Sequence, residues 1–113
     1  MTIREIIKIL DAKVILACDL DASVNSACGS DMMSDVLAYV KDQSVLLTGL
    51  INPQVVRTAE MMDMKCIIFV RGKEPDESII RLAKDMQITI LKTGLKMFTA
   101  CGLLYENGLR GEK

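Results

Sequence analysis

Four stretches of the chain set a glycine beside a hydroxyl, amide or charged side chain: Gly29-Ser30-Asp31, Thr48-Gly49 running on to Asn52, Arg71-Gly72-Lys73, and Thr93-Gly94. Glycine lets a ligand approach the backbone, and the polar neighbour offers hydrogen bonds or charge. Each stretch lies where a strand pattern gives way to a helix pattern. Helix N-termini present unpaired N–H groups and partial positive charge, which suit an anion or a phosphate. Arg71 and Lys73 add cation. The candidate ligand-binding residues are therefore Ser30, Asp31, Thr48, Asn52, Arg71, Gly72 and Thr93. The competing reading is plain: these residue types are also what strand–turn–helix connections are made of. None of the stretches is a P-loop or a G-x-G-x-x-G, so no nucleotide fingerprint is present.

Catalytic constellations are poor. The chain has no histidine, which removes the commonest general base and metal ligand together. A serine or cysteine nucleophile is left without that base. Asp31 and Asp35 fall at helical spacing, a pattern that fits a solvated helix face. Cys18, Cys28, Cys66 and Cys101 are far apart, with no C-x-x-C pair. Metal sites usually show such pairs, so the cysteines read as small buried hydrophobes. The expectation is no enzyme, no metal and no cofactor.

Composition narrows the partners. Net charge is −1 and the signs are mixed, whereas tracking nucleic-acid phosphates needs a basic patch. Tyr39, Phe69, Phe98 and Tyr105 are too scattered for a base-stacking platform. No apolar run reaches the roughly 18 residues that span a bilayer. The N-terminus runs straight into an amphipathic pattern without an apolar signal region. The chain is thus expected in the cytoplasm, apart from nucleic acid and membrane.

The elements that must position the candidate residues can be read from periodicity. Thr2 and Glu5 form a capping box ahead of Ile3, Ile6, Ile7 and Leu10 on one helical face. Val14–Ala17 reads as a strand, residues 19–26 as a loop, and Ser26–Cys28 as a weakly signalled strand. A helix is expected over Asp31–Val40, capped by Ser30 or Asp31. Strands follow at Val45–Thr48, Cys66–Val70 and Ile88–Leu91. They alternate with helices that open at Asn52-Pro53, at Pro75-Asp76-Glu77, and at Leu95, the last running to about Tyr105. This alternation predicts an α/β fold: a single compact domain with a largely parallel sheet and helices packed on it. The domain is expected over 1–108, with Gly108 ending order and 109–113 a short, frayed polar tail.

Half of the 113 residues are apolar and eight are methionine. A domain this small has limited interior, so apolar surface is expected outside the core, where it usually marks a contact site. A homodimer is the commonest way to cover it. The helix over Asp31–Val40 and the last helix around Phe98 and Leu103 are the expected surfaces.

The run Gly29-Ser30-Asp31-Met32-Met33-Ser34-Asp35-Val36-Leu37-Ala38 resembles the GDLLSDVLA stretch of DRTGG domains. Cys66 through Glu77 resembles their AIIxTGGxEPDE strand and turn, and Ile90-Leu91-Lys92-Thr93 their LLxT before the last helix. The resemblance implies a compact α/β domain related to the N-terminal domain of bacterial HPr kinase. Such domains occur inside phosphotransacetylases, between the CBS domains of regulated pyrophosphatases, and free-standing. In those pyrophosphatases adenine nucleotides bind the CBS domains, and the DRTGG domain lies at the dimer interface. The implied role is a non-catalytic regulatory or interaction module, with a partner protein or a small anionic ligand as possible partners. The alternative is a small-anion or nucleotide sensor using the strand-end loops. One departure stands out. Val70-Arg71-Gly72 occupies the place of Thr-Gly-Gly, so a charged side chain replaces the first glycine.

Overall fold

The computed structural model describes residues 1–39 and 44–111. The elements are α1 (Ile3–Leu10), β1 (Lys13–Leu16), β2 (Ser26–Gly29), α2 (Met33–Tyr39), β3 (Ser44–Thr48), α3 (Gln54–Met61), β4 (Cys66–Phe69), α4 (Glu77–Asp85), β5 (Thr89–Lys92) and α5 (Met97–Glu106). The strands form one sheet in the order β1-β5-β4-β3-β2. β2, β3, β4 and β5 run parallel, and β1 closes the far edge antiparallel to β5. The α/β reading with a largely parallel sheet holds.

Helices cover both faces of the sheet, and strand alternation distributes the core between them. Leu46, Ile67, Phe69 and Ile90 point toward α2, α3 and α4, where Val36, Val55, Ala59 and Ile79 meet them. Val45, Leu47, Ile68 and Leu91 point the other way, toward Ile3, Ile6 and Leu10 of α1 and Ala100 and Leu104 of α5. Every residue of the central strand β4 is buried, as its uninterrupted apolar sequence requires.

Local signals set most of the helix starts. The Thr2–Glu5 capping box is formed on α1. Asp76 Oδ1 accepts from the Ile79 N–H at 3.0 Å and opens α4. Pro53 has helical dihedrals, and Asn52 Oδ1 accepts from the Gln54 N–H at 2.8 Å. The pair therefore starts α3 as its sequence implies.

The strands lie within one residue of their expected bounds; three other boundaries shift because a residue is held by a distant neighbour. α2 begins at Met33, since Ser30 bonds the backbone of Met32 while Asp31 turns away to Gly49. Neither Ser30 nor Asp31 is its cap, and Val40, its expected end, lies outside the described residues. α5 begins at Met97 because the Leu95 carbonyl accepts from the Arg71 N–H at 2.7 Å. Order also runs past Gly108. Leu109 is buried beneath the sheet, and the Arg110 carbonyl accepts from Ala27 N–H at 3.0 Å on the outer edge of β2. The apolar side chain and the unpaired edge strand each gain a partner, so residues 109–111 are not a frayed tail; Glu112 and Lys113 lie outside the described residues.

Candidate functional site

The carboxyl ends of the four parallel strands bring Asp31, Thr48, Gly49 and Arg71 into one cluster. Asp31 Oδ1 accepts from the Gly49 N–H at 2.7 Å and from the Thr48 hydroxyl at 3.1 Å. Its Oδ2 lies 3.6 Å from an Arg71 guanidinium nitrogen. The Thr48 oxygen in turn accepts from the Leu50 N–H at 3.1 Å. The Arg71 guanidinium lies against Gly49 so closely that a Cβ on that glycine would collide with it. With no side chain, Gly49 lets the chain's own arginine lie against it; a Cβ there would require the flexible guanidinium to shift.

The electrostatics follow from the contacts. The Gly49 N–H holds the Asp31 carboxyl below its usual value of 3.8, with the Thr48 hydroxyl and the Arg71 charge adding to it against the desolvation of partial burial. Hydrogen bonds to a carboxylate favour its charged form in this way. In effect Asp31 occupies an anion position: it takes the backbone N–H, the hydroxyl and the cation that a small anion would take.

Arg71 has φ 58° and Gly72 φ 67°, so two consecutive residues are left-handed. For Gly72 this is unstrained, and a Cβ there would meet nothing within 4 Å. For Arg71 it is an uncommon conformation. The turn is fixed by three backbone bonds, from Arg71 N–H to the Leu95 carbonyl, from Gly72 N–H to the Thr93 carbonyl at 2.9 Å, and from Lys73 N–H to the Val70 carbonyl at 3.1 Å.

The remaining candidates serve the scaffold. Ser30 bonds the Met32 backbone in both directions. Asn52 caps α3. Thr93 is 2% exposed; its hydroxyl donates to the Leu10 carbonyl at 3.1 Å and accepts from Leu95 N–H at 3.2 Å. Gly49 is the cluster member whose N–H was not singled out in the sequence, although its place directly after Thr48 was the available signal. Beside the turn, Lys92 pairs with Glu74.

The thiols are free. Burial pushes the Cys66 thiol well above its usual value. Burial also raises Cys28, with nearby Cys101 and Asp35 adding to it, and raises Cys101.

A second region is apolar. A cavity of about 210 Å³ lies between β2 and α5, lined by Ala27, Gly29, Leu47, Cys101 and Tyr105 among others. The Arg110 guanidinium stacks 4.0 Å from the centroid of the Tyr105 ring. A Cβ on Gly29 would sit 2.7 Å from Cys101 Sγ, so the small residue is required where α5 crosses the edge strand. The outer side of α5 exposes Phe98 by 90% and Tyr105 by 59%. Met32 is exposed near the start of α2 and Leu37 within it. Leu103, expected at the contact surface, packs partly against the core instead. Gly102 stands between the two aromatics, exposed and mid-helix, where glycine costs about 1 kcal/mol relative to alanine.

No helix is long and apolar enough to cross a membrane among the described residues. No curated protein sequence matches the chain. Among solved structures, it is similar to the CBS and DRTGG domains of the regulatory region of Clostridium perfringens pyrophosphatase, complexed there with the activator diadenosine tetraphosphate. The match has a TM-score of 0.74 at 18% identity and covers 91% of this chain but 45% of that one. It bears on the fold, and this chain spans less than half of that regulatory region. The sequence model of the DRTGG domain matches residues 5–106. With the fold and the strand-end turn both in place, the chain belongs to the DRTGG domain family.

Proposed function

We propose that the chain is a non-catalytic regulatory module that works as a homodimer. The observation that carries this reading is the exposed apolar side of α5, led by Phe98. Large apolar patches mark contact sites on soluble domains, and Phe98 and Tyr105 stand exposed on one side of this helix. The strand-end cluster supports the non-catalytic half: its cation, hydroxyl and N–H are each bound to Asp31. The regulatory role is carried over from the family and from the regulatory pyrophosphatase region that shares the fold. Light scattering on the purified chain tests the dimer. A mass above the 12.5 kDa of one chain and rising with concentration is expected; 12.5 kDa throughout overturns the dimer. Turnover of a nucleotide or phosphoester, abolished by one point substitution, overturns the non-catalytic half.

A second reading is favoured by one observation, the Arg71 guanidinium, 39% exposed and held to a single carboxylate. A phosphate could replace Asp31 against Gly49 N–H, Thr48 and Arg71, making the turn an anion or nucleotide sensor. Melting with and without an adenine nucleotide tests it. A ligand bound only by the folded chain stabilises it by about 2.7 kcal/mol at a hundredfold excess over its dissociation constant. The shift should disappear in the Arg71→Ala/Thr48→Ala double variant; a shift unchanged by both substitutions places the ligand elsewhere.

A further inference from the structure

The outward stripe of α5, made of Phe98, Gly102 and Tyr105 at helical spacing, has three features with no use inside one chain. Phe98 projects into solvent, 90% exposed. Gly102 weakens the middle of its own helix, yet a Cβ there would meet nothing within 4 Å. Lys96 is the N-cap and Glu106 the last helical residue. Each is beside the end of the helix dipole that repels it, and no ion pair of the described residues takes either one.

We infer that two copies pair through α5, antiparallel, about a twofold axis beside Gly102. The inference rests on the homodimer reading and specifies its surface. Antiparallel pairing about that axis sets Gly102 against its own counterpart and Phe98 near the partner's Tyr105. Lacking a side chain at the crossing, the two helices come close together. On one flank each Phe98 ring meets the partner's Tyr105, backed by the Arg110 guanidinium. The apolar cavity beside Cys101 and Tyr105 borders this flank and offers room for the ring. On the other flank each Lys96 meets the partner's Glu106. Both charges then gain the opposite neighbour that their own helix denies them. A parallel pairing would set Lys96 against Lys96, so the charges also select the direction.

Sedimentation of the full chain, measured as a dimer dissociation constant, tests this. Phe98→Glu should weaken association about thirtyfold or more, the size of a hot-spot loss. Gly102→Leu should weaken it while raising the melting temperature of the dilute chain, because the helix itself improves. Lys96→Glu and Glu106→Lys should each weaken self-association, and an equimolar mixture of the two should restore it as a mixed dimer. The rise in melting temperature and the restoration in the mixture exclude misfolding as the cause. A wild-type dimer that none of these variants weakens overturns the α5 surface and leaves the homodimer standing. A wild-type monomer overturns both.

Discussion

The strand-end cluster and the outer side of α5 are both open to solvent, and they differ in what they leave unpaired. At the strand ends Asp31, Thr48, Gly49, Arg71 and Thr93 each have a partner in the same chain. Asp31 collects the Gly49 N–H, the Thr48 hydroxyl and the Arg71 cation, and Thr93 is tied to Leu10. On α5 the reverse holds: Phe98 and Tyr105 stand out from the surface, and Gly102 leaves a gap between them. Polar turns can satisfy themselves locally, because a carboxylate and an N–H need only a few ångströms and the right direction. Apolar side chains have no such local solution; they gain only when another surface covers them.

The comparison breaks first if Asp31 is not what holds the turn. Asp31→Ala leaves the Gly49 N–H, the Thr48 hydroxyl and Arg71 without their acceptor. It should lower unfolding stability by about 1.5 kcal/mol, a charged hydrogen-bond loss reduced by solvent exposure. A urea midpoint that falls with unchanged slope is the expected signature. Asp31→Asn, which keeps an oxygen acceptor, should lose less.

Acid titration reads the same contacts. The folded-state carboxyl of Asp31 is held below 3.8. Its contribution is therefore fully present above that value and is lost as pH falls through the lower folded-state value. The difference in stability between wild type and Asp31→Ala should be constant near neutrality and shrink below pH 3.8. A difference that grows on acidification would contradict the assignment. Subtracting the variant removes the other carboxyls held low, those of Glu5, Asp21, Glu74 and Asp76.

Arg71→Gly should do less. Glycine relieves the left-handed conformation at this position but removes the cation beside Asp31, and these effects oppose one another. A net change under about 1 kcal/mol in the same denaturation experiment is expected. The smallest effect belongs to the other region. Phe98→Glu, studied below the dimer range, should move monomer stability by no more than about 0.5 kcal/mol, as for other exposed positions. A larger loss would mean that Phe98 packs within its own chain.

The sequence carried the layers of this fold because they depend on local periodicity and capping. The Thr2–Glu5 box, the Asn52-Pro53 start and the apolar run of β4 are all short-range signals. The placement of β1 at the far edge, antiparallel to β5, rests on Lys13, Val14 and Leu16 pairing with Lys92, Leu91 and Ile90 far along the chain, and no local pattern encodes that. The site follows the same division. Ser30, Thr48, Arg71 and their glycines were visible as turn chemistry. The partnership of Asp31 with Gly49 and Arg71 joins strand ends distant in sequence, so the composition of each turn could not show that the three complete one another. Leu109 looked like the start of a tail because its burial comes from α5 and the sheet, not from its polar neighbours. Phe98 is exposed on α5 where a contact surface was expected, but Leu103 packs partly against the core: the helix's apolar residues alone do not show which side the sheet covers.

Sedimentation equilibrium of the unmodified chain over a range of micromolar concentrations tests the central claim most directly. The account predicts a mass that climbs with concentration from 12.5 kDa toward twice that value. A mass fixed at 12.5 kDa across the range would contradict it.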